Sequence, residues 1–191
     1  GLYPNTVISV AFYNAEKTLT QTRSDYGALI SATDATASIQ DSIRGQPRTL
    51  AQGENPDFPW RDFSNHTGIV FVRSEITIAD NTDGTSHTYL VGEKYVNPDH
   101  YTTGLDPGDN HDLYISHNND CGRWTSYDPD RPEANLTPRQ DRPGITFGSR
   151  FGSPHPSGCH MAYCDGSVRT VAYSVDAAVH HIQGDRSDGR K

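Results

Sequence analysis

Asp165-Gly166 joins two arms, His160-Met161-Ala162-Tyr163-Cys164 and Ser167-Val168-Arg169-Thr170-Val171-Ala172-Tyr173, and narrows more than any other feature what this chain can fold into. Arms rich in β-branched and aromatic residues around Asp-Gly predict a hairpin, because Asp and Gly supply the φ > 0 residues that a tight turn requires. Counting outward from a two-residue turn pairs Cys164 with Ser167 and Tyr163 with Val168. That register places Cys159, Met161, Tyr163, Val168, Thr170 and Ala172 on one face, which should be the buried one. After the hairpin, Asp176 caps a short helix in which Val175, Val179 and Ile182 share a side, and Gly184 stops it. The tail from Asp185 to Lys191 reads as solvated.

Two more strands precede the hairpin. Ile69-Val70-Phe71-Val72 is a continuous apolar run of the kind covered on both faces, and Thr88 to Tyr95 reads as a central strand by its β-branched and aromatic content. Between them Ile76 and Ile78 alternate, followed by Asp80 to Ser86, whose side chains favour Asx-type turns or a short helical start. Residues 97–140 are dominated by Asp, Pro and polar residues, so a long surface excursion is expected, pinned by Trp124 and by a bond from Cys121. Residues 1–60 read as irregular, with a short strand at Val7 to Phe12 and a polar loop over 34–55.

The 191 residues are enough for one domain, and 17 Gly with 12 Pro favour short strands joined by turns over a helical bundle. The expected fold is therefore α+β, mainly antiparallel β, in one domain over 1–191: core strands in 68–95, the excursion, then a hairpin and short helix over 155–183. The formal charge of −8 repels phosphate backbones and anionic lipid, and the basic residues are scattered, so no nucleic-acid partner is expected. No apolar run approaches the roughly 18 to 20 residues of a membrane span. Cys121, Cys159 and Cys164 allow one disulfide and one free thiol, or three thiols. Sequons stand at Asn65 and Asn135.

Phe151 to Cys159 followed by Asp165-Gly166-Ser167-Val168-Arg169 contains His155, nine residues, then Asp-Gly. This resembles the signature of the planctomycete-type prepilin-processing-associated proteins, a family of unknown function sometimes labelled solute-binding-like. Arg23-Ser24-Asp25-Tyr26-Gly27-Ala28, Ile78 through Lys94, and Gln140-Asp141-Arg142-Pro143-Gly144 resemble family blocks in the family's order. The resemblance implies a pseudopilin-like β-rich head, exported to the cell surface, with a structural, assembly or adhesion role in extracellular filaments and no enzymatic activity. Implied partners are copies of itself or other pilin-like subunits. The family sets a prepilin peptide and an apolar helix ahead of such a head, and membrane contact is expected only through that helix.

Several side-chain groups invite specific chemistry. His155, Cys159, His160 and Cys164 have the residue types of a zinc site, but Cys159 and Cys164 should point to opposite faces of a regular strand, so hairpin packing is the simpler expectation. His155 is expected to order the loop before the hairpin, and Asp165 with Gly166 to form the turn. Asp106, Asp109, Asn110, Asp112 and Asp120, with Asn118 and Asn119, offer oxygen ligands suited to calcium, the one cofactor anticipated; the alternative is a solvated acidic loop. The resemblance adds weight to calcium, since pseudopilins often hold it in a head loop. Asp80 to Ser86 is a weaker candidate. A contrasting function, carbohydrate or solute binding, would use Trp60, Tyr101, Tyr114, Trp124 and Tyr127 as an aromatic platform. Hydrolytic motifs are missing, and His111, His117, His180 and His181 read as surface residues.

Overall fold

In the computed structural model, residues 2–4, 20–32, 47–113 and 118–189 are described. The expected strand at Val7 to Phe12, most of the 34–55 loop, Tyr114 and His117 lie outside them. A five-stranded mixed sheet organises the chain, built from β3 (Tyr26–Ser31), β4 (Tyr89–Glu93), β5 (Gly122–Trp124), β8 (Gly158–Tyr163) and β9 (Val168–Ala172) in the order β5-β3-β4-β8-β9. All neighbours are antiparallel except β3 and β5. Two small pairs flank it: β1 (Leu2–Pro4) with β2 (Thr20–Thr22), and β6 (Arg139–Gln140) with β7 (Gly152–Ser153). The helices are short, α1 (Leu50–Glu54) and α2 (Ala177–Ile182).

Sequence patterning located β4, β8, β9 and α2, but the first core strand lies elsewhere. Tyr26–Ser31, inside the stretch expected to be irregular, runs between β4 and β5 and is buried on both sides from Leu29 onward. Leu29 enters a cluster with Tyr89, Phe151, Cys159, Met161, Tyr163 and Val171, while Ile30 packs on Trp124. The expected strand over 69–72 does not form. Its only ladder-like bond joins the Val70 N–H to the Leu29 carbonyl (3.2 Å), and at Arg73 the chain turns through a positive φ of 57°. Its apolar content serves as a lid, with Phe71 packed against Ile30 and Trp124.

The hairpin forms, with its register one residue away from the two-residue count. Ala162 faces Val168 and Cys159 faces Val171. The Gly166 N–H donates to the Tyr163 carbonyl and the Tyr163 N–H to the Ser167 carbonyl, so Cys164, Asp165 and Gly166 make a three-residue loop with Gly166 at φ 83°. Asp165 favours this loop by accepting from the Ser167 N–H and hydroxyl. An alternating strand changes face when its register moves by one. Cys159, Met161 and Tyr163 are therefore inside as expected, whereas Val168, Thr170 and Ala172 face out and Val171 faces in.

Asp176 caps α2 through its carboxylate, which accepts from the Ala178 and Val179 N–H groups. The inward residue is His180, wedged between the Tyr89 and Phe151 rings, and Val179 faces solvent. His180 is thus a core residue and not the surface residue expected. The following segment is tied down: the Arg186 guanidinium donates to the His66 and Gly68 carbonyls, and Asp83 accepts from the Asp188 and Gly189 N–H groups.

The 97–140 excursion does cross the surface, but it dips inward to lay β5 beside β3. Trp124 pins it, fully enclosed. Cys121, Cys159 and Cys164 form no disulfide with one another, and the Cys121 thiol turns toward the Leu113 carbonyl (3.8 Å).

Candidate functional site

Strand alternation in Gly92-Glu93-Lys94 sends neighbouring side chains to opposite faces. A Cβ on Gly92 would clash with Met161 Sδ and the Phe151 ring, so glycine is what lets β4 and β8 close over the core. Lys94 points inward as well, and Glu93 outward.

On the outward face Glu93 meets His160 of β8 and His155 of the β7–β8 loop. Glu93 Oε2 accepts from the His160 N–H (2.7 Å) and lies 3.2 Å from His160 Nδ1, while Oε1 lies 3.4 Å from His155 Nε2. The two imidazoles sit nearly edge to face, 5.1 Å apart. His155 is held from both sides: its N–H donates to Ser153 Oγ, and its carbonyl accepts from the Tyr173 hydroxyl. These two bonds hold the main chain of His155, and its ring joins the cluster. Glu93 was not legible as a partner, although it lies in the Gly-Glu-Lys block and His155 in the His-to-Asp-Gly block. Two ordered blocks converging on a β-sheet are the signal that could have pointed to it.

The cysteines stay apart from this cluster. Cys159 points into the core, where burial pushes its thiol up to about 12, and Cys164 Sγ turns toward the Tyr89 carbonyl. Strand alternation thus separates Cys159 from His160, and the length of β8 separates Cys164 from it.

Beside the cluster, burial, with a further push from the Asp106 and Glu93 carboxylates, raises Asp141 to about 6. Asp141 accepts from the Tyr101 hydroxyl (2.5 Å) and the Val96 N–H. Tyr101 thus serves as a carboxylate partner.

Under the sheet the acidic loop residues are engaged by the protein itself. Asp106, fully buried, accepts from the Asn97 and Gly108 N–H groups. Asp120 accepts from the Asn110 and His111 N–H groups and from Asn118 Nδ2. Asp109 pairs with Lys94 at 2.6 Å. Burial draws the pair toward neutrality, lowering Lys94 and raising Asp109, and their mutual attraction opposes this. Arg123 completes the network by donating to the carbonyls of Arg150, Gly108, Gly122 and Asn119. These carboxylates form a buried ion network, with Asp106 and Asp120 turned to backbone N–H groups, that of Asn110 among them, and Asp109 to a lysine. Asp80 likewise caps Thr77, through its N–H and hydroxyl.

Among the described residues, Trp60, Trp124 and Tyr127 of the expected aromatic platform lie apart. Trp124 is sealed in the core, whereas Trp60 stacks with Phe58 and Arg73 on another part of the chain, and Tyr127 lies against His181. Asn135 is also buried, its Oδ1 accepting from the Asp128 N–H, while Asn65 is exposed.

Fold and site together define a small, mostly β α+β domain that carries a Glu-His-His cluster on the outer face of its sheet. The chain belongs to the family described as SBP_bac_10, protein of unknown function (DUF1559), whose model matches residues 20–178. No curated protein and no solved structure matches it.

Proposed function

We propose that this chain is the head of a pseudopilin-like protein of the bacterial surface, with a structural role in assembly or adhesion outside the cytoplasm. The observation that carries this reading is how the polar residues of its family-like blocks are spent. Lys94 is buried against Asp109 and the Asp120 carbonyl, the Asp25 carbonyl accepts the Lys94 N–H, and Asp165 shapes the hairpin turn. These groups brace the sheet from within, as a scaffold requires.

Strand β9 adds a surface for association. It ends the sheet, and Val168, Thr170 and Ala172 face outward from it while Arg169 lies over the Tyr163 ring. A strand at a sheet edge offers main-chain groups to a partner strand. Antibody labelling of intact producing cells tests the reading. Surface label in fibres or large complexes, removed by external protease, is expected; protein that remains cytoplasmic and monomeric would refute it.

A further inference from the structure

We propose that Glu93, His155 and His160 bind one zinc-class divalent transition-metal ion, leaving a further coordination position open to water or an exogenous ligand. Their ligand atoms lie within 4.8 Å of one another, with Glu93 oxygens 3.4 Å from His155 Nε2 and 3.2 Å from His160 Nδ1. Tetrahedral zinc with bonds of about 2.0 to 2.1 Å sets neighbouring donors about 3.3 Å apart, so both carboxylate-to-imidazole separations match an edge of that polyhedron. Two imidazoles with one carboxylate suit zinc and its neighbours. Calcium and magnesium prefer oxygen alone.

The donors are also preorganised. Glu93 projects from the central strand and has Oε2 fixed by the His160 N–H, so the carboxylate is aimed before an ion arrives. His155 is fixed by Ser153 Oγ at its N–H and by Tyr173 at its carbonyl. Solvent reaches the cluster, since the side chains of His155 and His160 are 50% and 46% exposed. Three protein ligands with an open position characterise zinc sites that exchange a ligand, whereas purely structural sites use four. Cys159 points into the core and Cys164 lies at the turn end of the hairpin beside the Tyr89 carbonyl, so the predicted coordination is nitrogen and oxygen only. This inference is independent of the assembly role.

Equilibrium dialysis of the whole chain against zinc chloride, with excess magnesium and a phosphine reductant, tests it together with zinc X-ray absorption. One zinc per chain is expected, with two imidazole nitrogens, oxygen and no sulfur in its coordination shell. His155→Gln and His160→Gln should each weaken binding at least as much as the roughly 10–100-fold that losing an outer partner costs, and His181→Gln should leave it unchanged. Both altered side chains are half exposed, so circular dichroism should report a native fold, and Glu93→Gln provides a third variant. Failure of the native chain to retain zinc, sulfur in the shell, or full binding by the His155→Gln/His160→Gln double variant would overturn the proposal.

Discussion

Lys94 Nζ and Asp109 Oδ1 lie 2.6 Å apart, with side chains 1% and 15% exposed, and tie the central strand to the loop that leads into β5. Removing one partner strands a buried charge, whereas removing both does not. Lys94→Met alone and Asp109→Leu alone should each cost about 3–5 kcal/mol in urea unfolding. The double variant should lose clearly less than the sum of the two. Additive losses would show that the pair is not coupled.

Hairpin register supplies a second prediction, because Val168 is 64% exposed and Val171 only 7%. Val168→Asp should change stability by no more than about 0.5 kcal/mol, as surface substitutions do. Val171→Asp should unfold the chain or cost several times as much, since it buries an unpaired charge. A two-residue turn would reverse this order. Gly166→Ala, at φ 83°, should cost about 1–2 kcal/mol by forcing a side chain into the left-handed region.

His180 makes folding sensitive to acid. Burial, with smaller contributions from His181 and Arg150, lowers it to about 3. The unfolded chain therefore binds a proton below about pH 6.5 that the folded chain refuses, and stability is lost as pH falls from there toward 3. One such group steepens the acid limb by up to about 1.4 kcal/mol per pH unit. His180→Phe should flatten that limb in thermal melts between pH 6.5 and 4, while an unchanged slope would exclude His180 as its source.

Asp141 acts in the opposite sense. Its folded pKa of about 6 is raised above the ordinary carboxylate value of 3.8, so the folded chain binds the extra proton between those limits. Its contribution favours folding below about pH 4 and is lost as pH rises through 6. Asp141→Asn keeps an acceptor for the Val96 N–H and a donor for the Tyr101 oxygen. It should raise the melting temperature at pH 7.5 and have little effect at pH 4. Equal shifts at both pH values would contradict an elevated Asp141.

Local chemistry alone determined the features that depend on a few adjacent residues. Asp-Gly between β-forming arms is sufficient for a hairpin, Asp176 before Ala177 for a capped helix, and the content of Thr88 to Tyr95 for a strand. Face and register required the tertiary fold. Gly166 at φ 83° added a third loop residue, and that single residue turned Val171 inward and Val168 outward. The run over 69–72 is as apolar as a core strand, yet Tyr26–Ser31 holds the place between β4 and β5, because strand identity depends on which backbone groups find partners. The acidic loop reads alike as a cation cage or as a buried network until Lys94 and Arg123 arrive from distant strands. Glu93, His155 and His160 likewise became one cluster only through the pairing of β4 with β8, which joins residues 62 to 67 positions apart and outside the reach of any local pattern.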